Sequence, residues 1–481
     1  MTNHKYLKVT SRNVLLPESD DPRPATITVD VESGKITAID LQYVGGDADQ
    51  VDGSGSSFQL LDVGANTLLP GLVDAHVHLN EPGRTEWEGF WTGTRAAVSG
   101  GITTVVDMPL NSIPPTTTLK NLEIKRSTAN GQCWADVAFW GGVIPGNQEH
   151  LKPMVAAGVK GFKCFLIESG VEVRSYNLFW LLLTRRKEFP CVSEHDLLGH
   201  IEELCDEPTV LLFHAELEDS SAATHTDQAL NRTYYQTFLS SRPEDLEVHA
   251  IALITRLQEA YRDLRCHIVH LSAASALPII IAAKARGLKL TVETCFHYLC
   301  LSADGIPNGR PEFKCCPPIR DESNRRLLWQ ALMDGAIDCV VSDHSPCVAE
   351  LKKLEEGDVV GAWGGINSLG LGLSLLWTEG AKRGAKLGQV IRWMSQKTAE
   401  HVGLTAIKGS LAVGLDADLV IWDPEAEFKV SKEQFYFKNK LSAYDGLTLK
   451  GVVQQTFLRG RLVYDRSLNG FDGLHPIGKL L

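Results

Sequence analysis

His76-Val77-His78 sets two imidazoles two residues apart. In a β-strand residues i and i+2 share a face, so both rings would point the same way. Alone the pair says little, because a polar pair at a strand end gives the same pattern. Four more residues give it weight. Lys163 interrupts the apolar run Val159-Lys160-Gly161-Phe162-Lys163-Cys164-Phe165-Leu166, where an unpaired ammonium is costly. His214 ends Val210-Leu211-Leu212-Phe213-His214, His270 ends Ile268-Val269-His270, and Asp343 ends Cys339-Val340-Val341-Ser342-Asp343. Imidazole nitrogens with one carboxylate suit Zn²⁺ and similar ions. Four His and one Asp are too many for a single four-coordinate catalytic ion with an open position, so two ions fit better. Two divalent ions beside one obvious anion, Asp343, overload the pocket with positive charge. Metal proximity and burial depress the Lys163 pKa. A neutral amine can add CO₂ and become a carbamate whose two oxygens bridge both ions. Asp343, carbamate and hydroxide then leave roughly one net positive charge.

These side chains converge only if the chain brings strand ends together. From residue 71 strands alternate with amphipathic stretches. Strands are expected at 71–78, 103–107, 136–143, 161–166, 210–214, 266–270, 288–294 and 338–342, with helices at 244–264, 276–286 and 322–333 among the intervening segments. Eight such units predict an α/β fold, the (β/α)₈ TIM barrel, in which the carboxyl ends of all strands meet at one rim. A doubly wound open sheet is the structural alternative. The two chain ends read differently. Segments 5–9, 25–31 and 35–40 are β-rich, with Ser33-Gly34 as a hairpin turn, and 45–57 reads as a polar surface loop. Segments 417–422, 449–457 and 461–464 are strand-like again. The expected organisation is a discontinuous β-sandwich domain (1–70 and 409–465), a catalytic barrel (71–408) and a peripheral C-terminal tail (466–481).

Composition narrows the function class. Apolar residues make up 44% and charged residues 22%, enough for a large core and unlike a disordered chain. Net charge is 47 − 59 = −12, which disfavours nucleic acid or anionic membrane as a partner. The apolar segments 178–183 and 278–283 fall far short of the ~20 residues of a membrane helix. The first 21 residues lack the pattern of a secretory signal. Eleven scattered cysteines, with only Cys315 and Cys316 adjacent, read as reduced thiols of an intracellular protein. Cys164, Cys316 and Cys347 fall beside the candidate site, and none is assigned to metal. The end Gly478-Lys479-Leu480-Leu481 is not a Ser-Lys-Leu address, which leaves cytosol, peroxisome and mitochondrion open.

The constellation resembles the metal-dependent cyclic amidohydrolases, which carry His-x-His, a carbamylated Lys, two further His and an Asp on a (β/α)₈ barrel. Within that superfamily the chain is similar to the allantoin-hydrolysing family. The resemblance runs from about residue 7 to 464. Its most specific stretch is Asp74-Ala75-His76-Val77-His78-Leu79-Asn80-Glu81-Pro82-Gly83-Arg84-Thr85-Glu86-Trp87-Glu88. Met108-Pro109-Leu110-Asn111, Lys314-Cys315-Cys316-Pro317-Pro318, Ser342-Asp343-His344-Ser345-Pro346-Cys347 and Ala362-Trp363-Gly364-Gly365-Ile366 support it. The resemblance implies that His76, His78 and Asp343 hold a first ion, that His214 and His270 hold a second, and that Lys163, as N6-carboxylysine, bridges them. It implies Zn²⁺, a homotetramer and a small β-sandwich from both chain ends. The implied reaction is hydrolysis of the cyclic amide of allantoin to allantoate, a step of purine catabolism. A metal-bridging hydroxide attacks the ring carbonyl, and Asp343 takes its proton and returns it to the leaving nitrogen. Asn80, Arg84, Asn111, Cys316 and Ser345 are expected to hold the ring.

Three rival readings share parts of this pattern. Hydantoinases and dihydropyrimidinases usually place a Tyr soon after the bridging Lys, where this chain has Cys164-Phe165-Leu166. Dihydroorotases usually carry Arg two residues after the second His, where this chain has Asn80. Non-catalytic scaffold relatives lose metal ligands, and this chain keeps six. One departure from the family stands out. About 15 extra residues, 173–187, precede Glu188-Phe189-Pro190 and include the apolar run Leu178-Phe179-Trp180-Leu181-Leu182-Leu183. Such a run needs a cover. It is read as an oligomer contact or a non-native segment from a splice junction, rather than as a lid.

Overall fold

A computed structural model describes residues 4–17, 19–46, 49–51, 57–169, 188–218 and 231–481. The 173–187 segment lies outside the described residues.

Eight parallel strands form a barrel: Leu72–Val77, Ile102–Asp107, Asp136–Phe139 running on into Gly141–Gly142, Phe162–Phe165, Val210–His214, Arg265–Ile268, Leu290–Cys295 and Cys339–Val341. Each lies within a residue or two of its expected place. They are near-continuous apolar runs because both faces are covered, one by the barrel interior and one by helices. Ile102–Asp107 is buried at all six positions. The Trp140 N–H donates to Asp107 O at 3.0 Å where the third strand passes from one neighbour to the next. A bridge between Val77 and His344, with the His78 N–H on His344 O at 2.9 Å, closes the eighth strand onto the first. That closure excludes the open-sheet alternative. The helices start on side-chain caps. Ser193 opens Glu194–Leu204 with a capping box, and Asp321 accepts the Asn324 N–H at 2.8 Å to open Glu322–Met333.

The two chain ends share one nine-stranded sheet. Thr67–Pro70 pairs antiparallel with Leu419–Lys429, Leu69 opposite Val420, so the last N-terminal strand lies beside the first C-terminal one. Tyr6–Val14 loses register between Ser11 and Val14. Its first half pairs with Ser57–Asp62 and its end with Thr67–Pro70. The sheet thereby folds into a sandwich over a second core that includes Val9, Ile27, Val29, Leu68, Leu419 and Phe457. The Ser33-Gly34 turn forms as expected, with Gly34 at φ 71°. A Cβ there would stand 2.6 Å from the Cβ of Arg459, so the turn needs glycine twice over.

Two expectations require correction. The stretch read as a polar loop contains the strand Asp49–Val51, antiparallel to Ser57–Asp62; its polar side chains hid a backbone pairing. The tail is not peripheral. Its end runs beside the third barrel strand, with the Val137 N–H on Lys479 O at 2.8 Å and the Leu481 N–H on Val137 O at 2.9 Å. Backbone pairing there needs no apolar side-chain pattern, so the sequence showed none.

The amino-terminal floor of the barrel carries a buried ion cluster. Lys408 Nζ lies 2.6 Å from Asp136, 2.7 Å from Asp418 and 2.9 Å from Asp416. Arg459 adds a second cation, 2.5 Å from Asp136. Asp136 opens the third strand, while Asp416, Asp418 and Arg459 belong to the C-terminal part of the chain. The cluster therefore joins the barrel to the sheet of chain ends.

Candidate metal centre

The carboxyl ends of the strands open into a cavity of about 340 Å³ lined by His76, His78, Lys163, His214, His270 and Asp343. All six residues expected to bind metal thus meet in one place. Two of them sit on strained backbone: His270 at φ 41° and Asp343 at φ 43°. Non-glycine residues in this region cost about 1–3 kcal/mol each and cluster at functional sites. Asn80 at φ 62° and Asn111 at φ 68° border the same rim.

The ring nitrogens divide into two sets. Outward, His76 Nδ1 lies 2.5 Å from Glu293 Oε1, and His214 Nε2 lies 2.6 Å from Glu216 Oε2. Inward, His76 Nε2 faces Asp343 Oδ1 at 3.2 Å and His78 Nε2 faces the same oxygen at 3.5 Å. His214 Nδ1 faces His270 Nε2 at 3.1 Å. Ionised carboxylates only accept hydrogen bonds, so Glu293 and Glu216 hold protons on the outward nitrogens. In the neutral rings the inward nitrogens are then bare lone pairs. One confronts a carboxylate oxygen and another confronts a second imidazole.

The electrostatics agree. Burial pulls His214 down to about 4, and the opposing Glu216 does not offset it. Burial also drives His270 well below the ordinary range, reinforced by Lys163 and His214. Burial pushes Asp343 upward, but His76 and His78 outweigh it and bring it to about 2. The lone pairs of His214 and His270, whose rings burial keeps neutral, and the ionised Asp343 in the same cavity belong to a donor set that cations satisfy. Lys163 completes the set. It is 1% exposed, its Nζ has no hydrogen-bond partner among the described residues, and burial pulls it down to about 8. Divalent metal therefore fits the residues present.

Sequence reasoning missed the groups behind the ligands. Glu293 lies in the seventh strand and also accepts from His267 Nε2 at 3.1 Å and from the His270 N–H at 3.3 Å. Burial would raise its pKa, but His76 and His267 outweigh burial and leave it well below the carboxylate range. Glu216 is gripped by Arg242, which lines the cavity. Asp343 is thus not the only anion at the rim, and the charge sum drawn from sequence was incomplete. The signal was available: Glu293 interrupts an apolar strand just as Lys163 does. His297 was also missed; it is fully buried, and neither ring nitrogen has a partner among the described residues.

The expected substrate contacts separate into two groups. Asn111, Cys316 and Ser345 line the cavity, and Asn111 Nδ2 lies 3.3 Å from His78 Nδ1. Asn80 and Arg84 do not line it. Asn80 donates to Pro346 O at 3.2 Å. Arg84 holds Glu188 through two hydrogen bonds, at 2.8 and 3.0 Å, and donates to Asn111 O at 2.8 Å. It braces the rim because the half-buried carboxylate of Glu188 claims its fork. None of the eleven cysteines is in a disulfide, and Cys315 and Cys316 both line the cavity.

A barrel with this donor set defines a metal-dependent hydrolase class, and the chain belongs to the amidohydrolase family, whose model matches residues 67–463. Among its relatives is an allantoinase of Saccharomyces cerevisiae, 47% identical over 478 residues and covering 98% of each chain. An allantoinase of Streptomyces avermitilis is also 47% identical, covering 99% of this chain and 98% of its own. In three dimensions the chain resembles an L-hydantoinase (dihydropyrimidinase) from Arthrobacter aurescens, with a TM-score of 0.81 and 28% identity over 98% of this chain and 97% of that one. No helix among the described residues is long and apolar enough to cross a membrane.

Proposed function

We propose that this chain is a hydrolase that opens the hydantoin ring of allantoin to give allantoate. The observation that carries the reading is the 47% identity to two allantoinases over essentially the whole chain, joined to a cavity that presents the six ligand side chains. His76, His78 and Asp343 would hold one Zn²⁺ and His214 and His270 a second, with carbamylated Lys163 between them. When bound, such ions polarise a carbonyl and lower the pKa of water.

The chain's own groups do the rest. Asp343, ionised at neutral pH, accepts the proton of the attacking water and delivers it to the ring nitrogen as the C–N bond breaks. The water oxygen becomes part of the new carboxylate, so one water is consumed per ring opened. Glu216 and Glu293 keep the imidazoles oriented through the cycle. Asn111, Cys316 and Ser345 offer polar atoms to the ring's N–H and C=O groups. The assembly in this reading is a homotetramer.

A second reading, a hydantoinase or dihydropyrimidinase, draws on the solved structure cited above. Phe165 on the cavity wall offers no hydroxyl soon after Lys163, where that group usually carries a tyrosine. Turnover of allantoin, hydantoin, dihydrouracil and dihydroorotate with added Zn²⁺ separates the readings. The proposal expects allantoin to be preferred by at least about tenfold in kcat/KM. Preference for dihydrouracil or hydantoin would replace it with the second reading.

A further inference from the structure

One wall of the cavity is built from Val360, Ala362, Trp363, Gly364 and Gly365. Four carbonyls of this loop turn onto two ammonium groups. Lys314 Nζ donates to Val360 O and Ala362 O, both at 2.7 Å. Lys352 Nζ donates to Trp363 O at 3.1 Å and to Gly365 O. Lys314 is 8% exposed and Lys352 2%. Neither forms an ion pair with a described carboxylate.

That arrangement is expensive. Burying an ammonium without a carboxylate is unfavourable, and a well-packed apolar side chain is the more stable structural filler. Burial pulls Lys314 down to about 8 and also lowers Lys352. What the ammoniums supply, and an apolar side chain cannot, is several donors at one point. Within a peptide unit the N–H lies opposite the carbonyl, so fixing the carbonyls of 360, 362, 363 and 365 also fixes the following N–H groups. Two of these are tied in addition: Gly361 N–H to Asp358 Oδ1 and Trp363 N–H to Leu351 O, both at 2.8 Å. The Gly365 N–H donates to Lys314 O at 2.8 Å, and a Cβ on Gly365 would fall 2.1 Å from Ser345 O.

We infer that Lys314 and Lys352 are positioning residues, a pair of cationic clamps that hold loop 360–365 in the shape that receives the substrate. They act through the loop backbone and not on the metal ligands. The inference rests on the allantoin reading for its substrate and is separable from it. Lys314→Met and Lys352→Met should each raise KM for allantoin about tenfold or more. Their kcat should fall less than about threefold, and bound metal should match wild type. Lys314→Arg, which keeps parallel donors, should recover most of the loss. Wild-type KM in a folded methionine variant overturns the inference, and so does a loss confined to kcat that tracks metal. If the wild-type chain turns over no allantoin, it is the functional reading that fails. Backbone hydrogen exchange on the wild-type protein decides the case should the variants not fold. The clamps predict that amides 361, 362, 363 and 365, which have acceptors, exchange as slowly as the barrel strands. Rapid exchange there, without substrate, overturns the inference.

Discussion

Lys163 and Lys408 are both buried inside the same barrel, at opposite ends, and their surroundings are opposite too. Lys408 at the floor is enclosed by Asp136, Asp416 and Asp418. Lys163 at the rim has no hydrogen-bond partner among the described residues. Burial would lower both, but at the floor three carboxylates outweigh it and raise Lys408 above its ordinary value. At the rim nothing does, and Lys163 drops to about 8. A buried lysine surrounded by acids is a structural fastener. One left without a partner is available for chemistry: it reaches the neutral form near physiological pH, and only the neutral amine adds CO₂.

The largest effects should come from exchanging the two lysines' fates. Lys163→Ala should abolish turnover and metal retention while leaving the fold largely intact, with partial rescue by short carboxylic acids. Lys408→Met should do the reverse. It leaves three acids at the floor short of their shared cation and should lower stability by about 3–5 kcal/mol, while the folded fraction keeps its KM. Denaturation curves beside activity assays check both. If Lys408→Met loses activity without losing stability, the division between floor and rim is wrong.

Next in size are the carboxylates behind the imidazoles. Glu293→Gln and Glu216→Gln should each weaken metal binding by about 10–100-fold, the usual range for outer-shell partners. Competition with a chelator measures this directly. Affinity unchanged in both variants would remove these two residues from the centre.

The lysines should also respond to pH with opposite signs. Lys408, raised above 10.5 in the fold, contributes stability that is fully present below 10.5 and is lost as pH climbs through its folded value. Lys163, lowered from 10.5 to about 8, imposes its full penalty on the metal-free fold below about 8 and is relieved between 8 and 10.5. Reconstitution of metal-free protein at fixed dissolved CO₂ should therefore quicken as pH rises through about 8. A rate indifferent to pH from 6.5 to 9 would deny that the neutral amine is the reacting form.

The smallest effect should come from removing 173–187. Ser169 Oγ donates to Phe189 O at 2.8 Å, and Arg84 grips Glu188, so the chain on either side of that stretch is already in contact. Loop length changes stability only weakly. Deletion should alter kcat/KM by less than about threefold. A transcript that lacks the segment would make the shorter chain the native one.

The rim was legible in the sequence because a parallel barrel imposes a simple rule: apolar runs end at one rim, and a polar residue closing such a run points into the cavity. His214, His270 and Asp343 follow it. Glu216 was missed because it lies two residues beyond its strand, where nothing in the local pattern fixes a direction. Glu293 obeyed the criterion that singled out Lys163, but the seventh strand had no ligand to draw attention to it. Arg84 was expected to hold the substrate because it lies in the loop of the 74–88 stretch that carries the resemblance. Its true partner, Glu188, is 104 positions away, a distance no local pattern spans. The floor cluster was illegible for the same reason, since Asp136 and Lys408 stand 272 residues apart.

Four imidazoles, Asp343 and Lys163, whose amine has no hydrogen-bond partner among the described residues, are proposed to form a two-ion centre that opens a cyclic amide. Titrating metal-free protein with Zn²⁺ in bicarbonate, while following allantoin hydrolysis and bound metal together, tests it most directly. The rate should climb until about two ions are bound per chain and should stay at background in Lys163→Ala. Full activity without metal, or undiminished activity in Lys163→Ala, would contradict it.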